Sequence, residues 1–66
     1  MNINILQQNA QTLLELTQRY DQLESLKEQS KSPQEKTRID LNIERIKQQI
    51  ASVTANIRMM IRTEHV

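Results

Sequence analysis

The chain contains no glycine, cysteine, tryptophan or phenylalanine, and only one proline, one tyrosine and one histidine in 66 residues. Each absence removes a class of protein. Without cysteine there is neither a disulfide framework nor a thiolate metal site, and the single His65 cannot build a zinc centre by itself. With Tyr20 as the only aromatic side chain, there is no platform on which nucleic-acid bases could stack. The longest unbroken apolar run is Met59–Met60–Ile61, far short of the roughly 20 residues that span a bilayer. An excess of one charge is missing as well. Residues 1–32 carry three basic and four acidic side chains, and residues 33–66 carry six and four. Nothing resembles the clustered lysines and arginines on which affinity for nucleic acid rests. The start of the chain has no basic segment followed by an apolar core, so no secretory signal is expected and the expected location is cytoplasmic, of bacterial type.

What the chain does have is helix-forming residues and two apolar stripes mirrored around Pro33. Leu, Gln, Glu, Lys, Arg and Ala supply helix propensity almost throughout. The first stripe runs Ile3, Leu6, Ala10, Leu13, Thr17, Tyr20, and the second Ile43, Ile46, Ile50, Val53, Ile57, Met60. Both step by alternating threes and fours, the repeat of a coiled-coil seam. Paired from the outside in, their position numbers always add to 63, as in Leu13 with Ile50 and Leu6 with Ile57. An all-α fold is therefore predicted: one antiparallel two-helix hairpin with a coiled-coil-like seam, completed by another chain. Tyr20 closes the seam near the turn, and Thr17 is its weak layer.

The punctuation lies between Ser30 and Glu35. Ser32 is suited to cap the second helix, with Pro33 in the first helical position where its missing N–H costs nothing. Glu35 stands at the third position, from which a capping box would reach back to the Ser32 amide. These signals place helix one at residues 3–29, the turn at 30–32 and helix two at 33–64, with Asn2 or Asn4 capping the first helix. The short link makes the helices antiparallel neighbours.

Several apolar residues fall outside the mirrored seam. Leu16, Leu23 and Leu26 form one stripe on helix one, while Leu41, Met59 and Ile61 lie on helix two beside the small Ala51 and Ala55. Exposed leucines in line point to a second contact surface. A single core in a chain this short supplies only about 3–5 kcal/mol, so association with a partner is the expected stabiliser. These six residues are the candidate partner contacts. No catalytic, metal or cofactor site is expected. The one pair resembling acid–base equipment, Glu64 and His65, sits at a terminus where adjacent helical residues do not face each other. Arg58 and Arg62 make a basic edge that reads as a solvated face.

The Ser32–Pro33–Gln34 start, the hairpin layout and the turns Ala55–Asn56–Ile57–Arg58–Met59–Met60–Ile61 resemble the small co-chaperones of bacterial type III secretion needle subunits. The resemblance covers about the last two-thirds of the chain. It implies a non-catalytic interaction module in which the hairpin docks on a helical-repeat chaperone, the two together holding an aggregation-prone needle subunit in the cytoplasm before export. Needle subunits are themselves helical hairpins, but they carry a two-proline turn and this chain has only Pro33. A homodimeric four-helix-bundle regulator is the other reading. It would need a basic face, whereas the polar face here mixes signs.

Overall fold

The structure, a computed structural model, describes residues 2–64, with side chains to residue 63. Two helices account for nearly all of it: α1, Ile3–Gln29, and α2, Pro33–Glu64. The protein is an all-α helical hairpin. At about 1.5 Å per residue the longer helix accounts for the 51 Å long axis, and the short axes of 15 and 11 Å are those of two helices side by side.

Each boundary has a local cause. The Asn2 side chain accepts hydrogen bonds from the Asn4 and Ile5 amides at 3.0 and 3.3 Å, satisfying two donors that the first turn of α1 cannot pair internally. No acidic residue supports that turn. At the other end the Ser30 amide still donates to the carbonyls of Leu26 and Lys27, while its backbone has already turned extended. The turn needs no left-handed residue, and no described residue has positive φ. A glycine-free chain is thus compatible with its own link.

The cap of α2 differs in part from the expected capping box. Ser32 Oγ accepts from the Glu35 amide at 3.4 Å, a cap worth about 0.5–2 kcal/mol. Glu35 does not return the bond to the Ser32 amide. That amide donates to Ser30 Oγ at 3.4 Å, and the Ser30 hydroxyl donates to the Glu35 carboxylate at 3.2 Å. Ser30 closes the box by standing between the two groups.

The seam on α2 runs through Ile39, Ile43, Ile46, Ile50, Val53, Ile57 and Met60, all buried or half-buried. On α1 the inward set is Leu6, Asn9, Leu13, Leu16, Tyr20, Leu23 and Lys27. The expected α1 stripe therefore needs correction. Leu6, Leu13 and Tyr20 face inward, but Ile3, Ala10 and Thr17 are exposed. Leu16, assigned above to a partner surface, is among the four most buried apolar residues, with Ile39, Ile43 and Ile46. The two sets are alternative phases of one heptad sharing Leu6, Leu13 and Tyr20. The observed phase turns Leu16 and Leu23 inward where the other would turn Ala10 and Thr17. At about 0.8 kcal/mol per buried methylene, that exchange outweighs admitting Asn9. Thr17 loses little by facing water, because its hydroxyl donates to the Leu13 carbonyl at 2.8 Å.

The register moves with the phase. Paired from the outside in, the observed seam joins residues whose numbers add to 66, as in Leu16 with Ile50 and Leu13 with Val53, instead of 63. Two contacts fix it from either end. Lys27 Nζ meets Asp40 Oδ1 at 2.6 Å near the turn. Asn9 Nδ2 approaches Met60 Sδ at 3.6 Å near the open end. At about 1.5 Å of rise per residue, the expected register would set the second pair about 9 Å apart along the axis, and the observed one about half that.

Candidate interaction surface

The residues named above as partner contacts fall into two groups. Leu16 and Leu23 belong to the seam: Leu16 is 8% exposed and Leu23 half-buried. Packing against α2 consumes them, so the helix-one stripe proposed from sequence does not exist as a free surface. Leu26, Leu41, Met59 and Ile61 remain exposed, with Leu41 and Met59 the most open of them at 63% and 65%. Sequence reasoning passed over Ile3, Ile5 and Leu14, whose exposure is of the same order. The first was placed in the seam and the others were left without a role. The signal that could have found them was the competing heptad phase, which moves Ile3 and Ala10 outward together.

With Leu6 and Ile43 set at equivalent seam positions, these exposed residues divide among three surfaces. Ile5, Thr12, Arg19 and Leu26 are seven apart and share one flank of α1. A shallow groove of about 330 Å³ opens on that flank, lined by Thr12, Glu15, Leu16, Arg19, Gln49, Ser52 and Val53. Its floor is apolar and its walls are charged or amide-bearing. Glu15 already accepts a hydrogen bond from Gln11 Nε2 at 3.4 Å. Glu15 is the carboxylate there, and the Thr12 hydroxyl donates to the Gln8 carbonyl at 2.9 Å and not to Glu15.

The opposite flank carries Ile3 and Ala10 from α1 and Thr54 and Ile61 from α2, with Leu14 and Ala51 just outside them. In the observed register Ile3 lies within two residues of the level of Ile61, Ala10 within two of Thr54 and Leu14 within one of Ala51. The third surface is the back of α2, where Leu41 and Met59 are separated by Arg45, Gln48, Ser52 and Ala55. Leu41 and Met59 lie 18 residues apart, about 27 Å along the helix.

Charge is segregated along the hairpin. Fourteen of the seventeen charged side chains lie between Glu15 and Lys47, around the turn. Residues 2–14 and 48–57 carry none, while Arg58 and Arg62 lie further along α2, opposite the start of α1. Within the charged half, Lys27 is held above its ordinary pKa of 10.5, first by its hydrogen bond to Asp40 and then by that carboxylate's charge. Lys47 and Glu44 form a second, looser pair at 3.5 Å within one turn of α2. Arg58 and Arg62 are exposed.

Among the described residues no group of three His, Cys, Asp or Glu side chains could hold a metal ion. No described helix is long and apolar enough to cross a membrane. His65 and the side chain of Glu64, weighed above as an acid–base pair, lie outside the described residues. No family model, curated protein or solved structure matches the chain.

Proposed function

We propose that this protein is a non-catalytic interaction module that works by docking a helix of another protein along the back of α2. The observation that carries this reading is the exposure of Leu41 and Met59 on one face, with Arg45 the only charged residue between them. A hydrophobic anchor at each end of a helical face suits an amphipathic partner, which binds through anchors spaced by whole turns. The short side chains of Ser52 and Ala55 let a second helix approach closely. The resemblance of the second helix to type III secretion co-chaperones gives the partner its proposed identity: a helical-repeat chaperone that, with this hairpin, keeps a needle subunit soluble before export.

The test is co-purification from the native cell. On this reading the wild-type chain brings down a small helical-repeat protein and a needle-type subunit in fixed ratio, and Leu41→Glu with Met59→Glu loses both while keeping its helical circular dichroism. Retention of the same partners by the double variant removes the back of α2 as the docking face. Recovery of a specific partner unrelated to secretion leaves the interaction module standing and discards the secretion assignment.

A further inference from the structure

The open half of the hairpin has a face that the docking reading does not use: the flank bearing Ile3, Ala10, Leu14, Ala51, Thr54 and Ile61. We infer that this flank binds a second copy of the chain, making a two-fold symmetric four-helix assembly whose outer faces stay free. The inference rests on the reading of the chain as an interaction module and assigns a partner to a different surface of it.

Three observations select a second copy as the occupant. The first is area. A compact monomer of 7.8 kDa would expose about 4,400 Å², whereas this chain exposes 5512 Å². The excess, about 1,100 Å², matches what one partner contributes to a standard interface, about 800 Å², with some to spare. The radius of gyration agrees: 15.4 Å against about 11 Å for a compact domain of this length.

The second is shape. Ala10, Ala51 and Thr54 carry short side chains on this flank, and the exposed Leu14 carries a long one close to the level of Ala51. A two-fold axis through the flank would set each copy's Leu14 against the other's short side chains. This is the self-complementarity that an isologous interface requires. Ile3 and Ile61, within two residues of the same level, extend the contact towards the open end.

The third is charge. Two-fold pairing of a charged patch sets like against like. Residues 2–14 and 48–57 have no charge to repel, and none of opposite sign by which to select a different partner. Arg58 stands within the patch between Thr54 and Ile61, where its long stem can lie along the apolar surface while its head stays in water. Lys47 bounds it on the turn side.

The experiment is sedimentation equilibrium of the full chain, with helicity followed in the same samples. The wild type is expected at twice 7.8 kDa at concentrations up to about 0.1 mM. Leu14→Glu should raise the dimer dissociation constant by about tenfold or more, and Leu41→Glu should leave it unchanged. If Leu14→Glu loses helicity as well as mass, mixing it with Ala51→Lys decides the matter. Opposite charges brought together across the two-fold interface should restore both dimer and helix, while neither variant does so alone. A wild type monomeric over the whole range overturns the inference. So does a dimer that survives Leu14→Glu, or one that Leu41→Glu disrupts. A monomer that still captures its partners through Leu41 and Met59 defeats the second-copy inference alone and leaves the docking reading intact.

Discussion

Asn9 is the one amide in a seam that is otherwise apolar up to Lys27 at the turn end. Its Nδ2 donates to the Ile5 carbonyl at 3.1 Å and approaches Met60 Sδ at 3.6 Å, so both protons of the amide are engaged. A polar residue at a seam position commonly fixes register at a cost in stability. Asn9→Leu is therefore expected to stabilise the chain by about 1 kcal/mol in urea denaturation, while broadening the amide spectrum of α1 as the alternative phase becomes accessible. A stabilised variant with one sharp spectrum would show that the leucines set the register without Asn9. The two phases also differ in what truncation costs. Leu16→Ala should lose about 2–5 kcal/mol, as for a buried leucine. Ile3→Ala, in the phase the structure rejects, should stay within about 0.5 kcal/mol. Comparable losses at both positions would mean that both phases are populated.

At the scale of the helices, the boundaries were readable because their causes are short-range. Asn2, Ser32 and Pro33 each act within four residues, and no glycine elsewhere competes with them. The α2 stripe from Ile43 to Met60 was readable for a different reason: every step of three or four lands on a branched or long apolar residue, and up to Ile57 its neighbours are polar apart from Ala51. The α1 stripe was not, because Leu6, Leu13 and Tyr20 serve two phases equally well. Choosing between them takes the volume of Leu16 and Leu23 set against α2, together with Ile39, which lengthens that seam towards the turn. The same ambiguity obscured the surface, since a residue counted into the seam is not sought outside it. The ion pair between the helices gives this scale its own test. Lys27 has a raised pKa in the folded chain, so the pair contributes in full below pH 10.5, the ordinary lysine value, and is lost as pH rises through the raised one. Resistance to urea should fall across that alkaline window, and Asp40→Asn should remove the part of the fall that belongs to this pair. An identical decline in wild type and variant would show that the pair has no energetic role.

For the molecule as a whole, four well-buried apolar residues are a small core for two helices of 27 and 32 residues. Leu16, Ile39, Ile43 and Ile46 all lie in the half of the hairpin that contains the turn. The seam residues of the open half, from Leu6 to Leu13 and from Val53 to Met60, are only half-buried. Stability at the open half then depends on what covers its flank. Binding that favours the folded chain makes the melting temperature depend on concentration. Heating at increasing protein concentration should raise the midpoint for the wild type, and Leu14→Glu should flatten that dependence. A midpoint independent of concentration in both would mean that the hairpin stands alone.

The three-residue link between the helices is also the single stretch where the backbone leaves helical geometry between Ile3 and Glu64, and it contains Lys31. Proteases need an extended segment, so trypsin should cut first after Lys31, where no helix has to open. The cut leaves fragments of 31 and 35 residues and turns an intramolecular seam into a bimolecular one. What is lost is the effective concentration that a short tether enforces, commonly millimolar. Held in a dimer, the nicked halves should stay together through gel filtration and separate on dilution. As a monomer they should part at once and be digested to small peptides. A brief proteolysis followed by dilution thus reads, from one peptide bond, whether this hairpin is held closed by its own link or by its neighbours.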